Sequence, residues 1–272
     1  VRFKEIEVDD STTPVAGQPP RYSVGWDVGA WNCDSGSSRD ALVVLEEGAD
    51  GPITAGRPWR GNLRSVLDAG PGGADLILAV LSLCGVTPLT PFAATVAIDT
   101  PLGWPKPMLD LLTAGVVVPV PERADENPYL FRQAELALFG HAHRPLSAVR
   151  DMIGSQSTKG LHFLSRAGLV RSSVGVWRRA EGGNAVTAIE TYPAPCRKSK
   201  TAGGLHAGVV TSPAVVKACS KSPNVRADVT DAALCAVVAW LYANRHHTLQ
   251  APVASYPVEE GWIWLPADCL PA

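Results

Sequence analysis

From residue 21 onward, short β-branched apolar runs alternate with breaks rich in glycine and proline. "RYSVGWDVGA" (21–30), "ALVVLEEG" (41–48) and "PITAGRPW" (52–59) have strand length and strand composition, and "GADG" supplies a turn between the last two. Three short consecutive strands predict an antiparallel meander. "ADLILAVLSLCG" (74–85) is longer and rich in Leu and Ala, which predicts a buried helix. "ATVAIDTPLGW" (94–104) returns to strand, and "KPMLDLLTAG" predicts a short helix stopped by Gly115.

Further helices are expected at "FRQAELALFG" and around "RPLSAVRDMIG". "SSVGVWRRA" (172–180) and "NAVTAIETYP" (184–193) read as strands, and "SPAVVKACS" (212–220) as helical. "DVTDAALCAVVAWLYANRHH" (228–247) is apolar almost all round, so it predicts a buried helix. "EGWIWLP" (260–266) reads as a late strand or an extended cover. The order of strands and helices predicts an α/β fold, a mixed sheet with helices on its faces. Proline and glycine dominate "STTPVAGQPP", so 1–20 is expected to be a flexible leader and 21–272 a single domain.

The chain has 272 residues and a formal net charge of −2, which argues against bulk electrostatic gripping of long nucleic acid. Six cysteines occur without any Cys-x-x-Cys spacing, so a structural zinc site is not expected and reduced thiols are. The charged start "VRFKEIEVDD" lacks the apolar centre of a signal peptide, and no run is long enough to span a bilayer. The expectation is a cytoplasmic protein with no membrane partner.

Against this background the placement of acids stands out. Asp27, Asp99 and Glu190 each close an apolar strand, and Asp228 and Asp231 open the last buried helix. Carboxylates that converge repel one another and resist ionisation. A hard cation such as Mg²⁺ or Mn²⁺ relieves that repulsion through oxygen ligation and leaves room for a substrate phosphate. Metal ligands are therefore expected at Asp27, Asp99, Asp228 and Asp231, with Glu190 a further catalytic acid.

Structural alternatives stand beside this reading. Asp228 suits a helix N-cap and Asp231 the helix dipole. Glu190 suits an ion pair with Arg178, Arg179 or Arg197. Gly25 and Gly29 flank Asp27 and suit close backbone approach to a ligand.

Taken in order, "GWDVG", "AIDTPLGWP", "FRQAEL", "AIETYPA" and "DVTDAALCAVVAW" resemble the family catalogued as domain of unknown function 429, for which an RNase H-like nuclease fold is predicted. The resemblance implies a mixed five-stranded core sheet flanked by helices, with its first three strands antiparallel. It implies acids on the first strand (Asp27), the fourth (Asp99) and the last helix (Asp228, Asp231). The connection between the fourth and fifth core strands is long, and 116–185 is expected to be a largely helical insert.

The insert and the segment after Glu190 carry the candidate substrate contacts Arg132, Lys159 and Lys200; Gln156 and Arg166 are further polar candidates. "GSQSTKG" fails the phosphate-loop pattern, because its Lys precedes the last Gly. Lys159 remains either a phosphate contact or a solvated loop lysine. The histidine pairs at 141/143 and 246/247 carry no metal assignment. Trp26, Trp31 and Trp104 suit either core packing or stacking on a base.

The expectation is a metal-dependent nuclease or phosphodiesterase acting on nucleic acid or a small phosphodiester. An actin-like phosphotransferase is the second reading, and would need "TAGGLHAG" (201–208) as a glycine-rich adenosine loop. A non-catalytic binding module is the third.

Overall fold

A computed structural model describes residues 19–141, 143–181 and 183–270. Most of the expected leader, 1–18, lies outside the described residues. The chain runs β1 (Arg21–Asp27), β2 (Asp40–Gly48), β3 (Gly51–Gly61), α1 (Arg64–Ala69), α2 (Ala74–Leu83), β4 (Ala93–Asp99), α3 (Lys106–Ala114), α4 (Gln133–Phe139) and α5 (Gly154–Arg166). It continues through β5 (Val170–Ser173), β6 (Val176–Glu181), β7 (Asn184–Glu190), α6 (Pro193–Cys196), α7 (Lys200–Val210), α8 (Pro213–Cys219) and α9 (Pro223–Asn244). No helix among the described residues is long and apolar enough to cross a membrane.

The strands form one seven-stranded mixed sheet in the order β3-β2-β1-β4-β7-β6-β5. β2 pairs antiparallel with both β1 and β3, as the meander reading expects, while β4 and β7 run parallel to β1. The sheet is two strands wider than the expected five. The difference lies in the 116–185 insert, which ends in the hairpin β5–β6, and β6 pairs antiparallel with the free edge of β7. "SSVGVWRRA" therefore splits at a turn around Gly175, whose φ is +69°.

Both faces of the central strands are covered, which is why β1, β2 and β4 read as continuous apolar runs. On one face α9 packs with Ala41, Val43, Leu45, Ala97 and Ile189. On the other, α1, α2 and α5 bring Leu67, Leu76, Ile77, Leu81 and Phe163 against Trp26, Val96 and Ile98. Gly25 lets α9 lie directly on β1. A Cβ there would fall 1.9 Å from the Ala232 carbonyl oxygen and 2.2 Å from the Ala236 nitrogen. Its glycine serves helix packing rather than approach to a ligand.

Three local expectations are overturned. Residues 144–153 form turns and irregular structure instead of a helix, and the helix lies one segment later, in α5. "GSQSTKG" is thus helical rather than a loop. "TAGGLHAG" lies within α7, whose Ser199 caps Ala202 N–H, so it offers no glycine-rich loop. The last helix starts at Pro223 with Ser222 as N-cap, which puts Asp228 and Asp231 inside it and removes their capping role. Residues 260–266 form an extended cover, tied by the isolated bridge Glu190–Ile263.

Candidate active site

Asp27 and Asp99 are the last residues of β1 and β4 and are direct register partners. Paired residues of parallel neighbours point to the same face, and here that face carries α9. Both side chains are half-buried and border a cavity of about 200 Å³. Thr100, Pro145, Gln156, Thr191 and Tyr192 complete much of its wall. Among the described residues neither carboxylate accepts a hydrogen bond or pairs with a cation.

The electrostatics follow from that geometry. Burial, and then the charges of Asp231 and Glu190, push Asp99 up to about 8. Burial, and then the charge of Asp99, hold Asp27 well above the usual carboxylate range. Beside Asp99, the Thr100 hydroxyl is buried without a hydrogen-bond partner. A pair of partnerless carboxylates next to an orphaned hydroxyl is a set of oxygen donors with spare capacity.

The other predicted acids are already engaged. Asp231 forms an ion pair with Arg197, and burial raises its carboxyl while that guanidinium lowers it. Asp228 accepts from Arg60 Nε at 2.6 Å and from the Arg39 backbone N–H at 3.1 Å. Both acids influence Asp27 electrostatically. Yet among the described residues no group of three or more His, Cys, Asp or Glu is arranged to hold a metal ion.

Glu190 borders the same cavity and its charge reaches Asp99, but strand alternation sets it on the other face of the sheet from the two aspartates. Its register partner is Ile98, which belongs to the opposite core from Ala97 and Ile189. There it takes two hydrogen bonds from Arg132, at 2.8 and 2.5 Å, and one from the Leu102 backbone N–H at 2.8 Å. Arg132 also donates from Nε to Glu135 at 2.8 Å. The cluster buries these charges, and desolvation drives Glu135 up to about 7 although Arg132 opposes the shift. Glu190 does pair with an arginine, but with Arg132 rather than Arg178, Arg179 or Arg197.

The candidate substrate cations separate in the same way. Arg132 is 1% exposed and fully committed to this cluster and the Glu260 carbonyl. Lys159 is fully buried rather than solvated; its Nζ donates to Asp40 at 2.5 Å, to Asn62 at 3.1 Å and to the Ala30 carbonyl at 3.2 Å. Neither reaches the cavity. Lys200 is exposed at the start of α7, away from the cavity lining. Arg166 donates to the Gly70 carbonyl at 2.6 Å. Trp26 is core, packed edge-on against Phe163, and Trp31 packs on His162.

Sequence reading missed Asp40, which is buried at the start of β2. It accepts from Trp26 Nε1, Gly29 N–H, Leu63 N–H and Lys159, so it ties down the turn that follows Asp27. The signal was an acid opening the apolar run "DALVVL". It also missed Thr100 and Tyr192 as wall residues, and the pairing of Arg197 with Asp231. Thr100 and Tyr192 lie inside motifs read for their acids alone. No protein-family model matches the chain, and neither the curated proteins nor the solved structures contain a significant match.

Proposed function

We propose that the Asp27–Asp99 site is a metal-dependent phosphodiester-hydrolysing centre on an RNase H-like core. The observation that carries this reading is the in-register pair of half-buried carboxylates with no hydrogen-bond or ion-pair partner. Two like charges in a shared, partly desolvated pocket need either protons or a cation. Oxygen-only donors, including the orphaned Thr100 hydroxyl, suit Mg²⁺ or Mn²⁺. Such ions are often bound by only one or two carboxylates plus substrate phosphate, so a larger preformed ligand cluster is not required.

Asp27 and Asp99 would hold the ion, with Asp231 as a further oxygen donor. Once bound, the ion would supply Lewis-acid polarisation of a phosphoryl oxygen. The protein's own groups would do the positioning. Arg197 presents a guanidinium that suits a phosphate oxygen, while Gln156 and Tyr192 line the wall where the rest of the substrate would lie. Glu190 acts at one remove, because its bond to Leu102 N–H shapes the turn after Asp99.

The strand order supports the RNase H-like assignment. β3-β2-β1-β4-β7 would be the five-stranded core and β6–β5 an extension of its edge. The resemblance of "AIDTPLGWP" and "DVTDAALCAVVAW" to the domain-of-unknown-function 429 family leads to the same assignment. The substrate class is a phosphodiester, in nucleic acid or in a small molecule. Helical "TAGGLHAG" disfavours the actin-like reading, for want of an adenosine loop.

The test is calorimetric titration of Mn²⁺, with hydrolysis of bis-p-nitrophenyl phosphate as the readout of chemistry. The wild type should bind and hydrolyse, and Asp27→Asn and Asp99→Asn should lose both while staying folded. Hydrolysis that survives in either variant sinks the proposal.

A further inference from the structure

A second, larger cavity of about 490 Å³ opens at the other end of the sheet, where β1, β4 and β7 begin. From Ser23 to Asp27 along β1 is about 13 Å at strand rise, so this cavity is separate from the acidic one. Its floor is a single transverse row across four strands. Ser23 is the register partner of Thr95, Thr95 of Thr187, and Thr187 of Arg178. Register partners share a face, here the α9 face that carries Asp27 and Asp99 at its far end.

Ser23 is 5% exposed and Thr95 8% exposed. Among the described residues none of the three hydroxyls has a hydrogen-bond partner, and Arg178 has no anionic partner. The hydroxyls keep their donor and acceptor capacity free toward the cavity. The half-buried Arg178 guanidinium hydrogen-bonds Tyr242 and faces no carboxylate, so its remaining donors suit an anion.

The walls are aromatic and braced. The Trp240 indole N–H donates at 2.8 Å to Glu47, whose carboxylate borders the cavity. The Trp264 indole N–H donates to the Gly175 carbonyl at 2.8 Å. Tyr242 and His246 each pack with ring centroids 5.0 Å from Trp264. Rigid rings around a polar floor fit a flat ring with polar substituents. The volume falls in the range of about 300–1,000 Å³ found for small-molecule sites.

We propose that this cavity binds a small flat aromatic carboxylate, its ring against Trp240 and Trp264 and its carboxylate on Arg178 and the Ser23–Thr95–Thr187 hydroxyl row. The site is independent of the metal-dependent chemistry at the opposite end.

The probe is 2-naphthoate, with 2-naphthamide as its uncharged counterpart. Binding is followed by the indole N–H signals of Trp240 and Trp264 in ¹⁵N–¹H spectra, assigned through W240F and W264F. Naphthoate should shift both signals and bind at least tenfold more tightly than the amide. Arg178→Met should weaken it at least tenfold, Thr95→Val at least threefold, and Asp27→Asn should leave it unchanged. Thr95→Val is nearly isosteric, so it decides the matter if Arg178→Met fails to fold. Absence of shifts up to millimolar naphthoate, equal affinity for acid and amide, or indifference to the folded variants would each overturn the proposal.

Discussion

Asp27 and Asp99 stand side by side at the carboxyl ends of two parallel strands, while Glu190, one strand further on, points to the opposite face. That single step of register separates a pair of partnerless acids from one locked to arginine. The pair accounts for the site's electrostatics, and the locked acid accounts for the shape of the turn behind it.

The pair makes stability depend on pH in a defined direction. Asp99 titrates near 8 in the folded chain against an ordinary value of 3.8, so between these limits the folded state holds a proton that the unfolded chain has released. Stability therefore falls as pH rises through that window, and Asp27 adds to the slope in the same sense. Denaturant melts without divalent ions should show the decline, and Asp99→Asn should flatten it. Added Mn²⁺ should stabilise most at the upper end of the window, where the protons have already left. Identical pH profiles for wild type and Asp99→Asn would contradict the assignment.

Arg132 stabilises the fold without touching substrate. Replacing it with Met leaves Glu190 and Glu135 buried without their cation, which costs about 3–5 kcal/mol for a broken buried pair. The expected result is a lower denaturation midpoint, with Mn²⁺ affinity altered far less than in Asp27→Asn. Selective loss of metal binding at unchanged stability would instead put Arg132 in the site itself.

Lys159 and Asp40 form a second buried pair, on the turn after Asp27. Lys159→Met should destabilise by about 3–5 kcal/mol, because it leaves the buried Asp40 carboxyl, whose ionisation burial already opposes, without its cation. Adding Asp40→Asn should cost less than the sum of the two single changes. Strict additivity in that double-mutant cycle would mean that the two groups are not coupled.

Gly25 is required for α9 to lie on β1. Gly25→Ala drives a Cβ into backbone atoms of α9, at 1.9 Å from the Ala232 carbonyl oxygen, where no side chain can yield. Overpacking of this kind costs about 1–3 kcal/mol or more. Because α9 carries Asp228 and Asp231, Mn²⁺ affinity should fall along with stability. A variant as stable as wild type would show that the contact relaxes freely.

Much of the framework was legible without coordinates because it rests on local rules. The apolar runs 21–30, 41–48 and 94–104 hold strands β1, β2 and β4 because β-branched runs between turn residues permit little else, and 228–247 holds most of α9, which ends at Asn244, because its length and apolar girth suit burial. The failures are cases where local signals were weak or tertiary contacts overrode them. "GSQSTKG" contains two glycines and reads as a loop, yet it is helical in α5, where Lys159 meets Asp40 and Ser157 meets the Pro101 carbonyl.

By itself the sequence determined that acids would end apolar strands, since the alternation of residue types is local and requires no partner. Which acids would meet was a matter of register between segments far apart in the chain, and only the folded sheet decided it. Asp27 and Asp99 share a face because their strands pair in parallel at the same level. Glu190 does not, because its register partner is Ile98, one residue before Asp99, and its side chain leaves by the other face. The row Ser23–Thr95–Thr187–Arg178 arose in the same way: four unremarkable polar residues became one floor when four strands aligned.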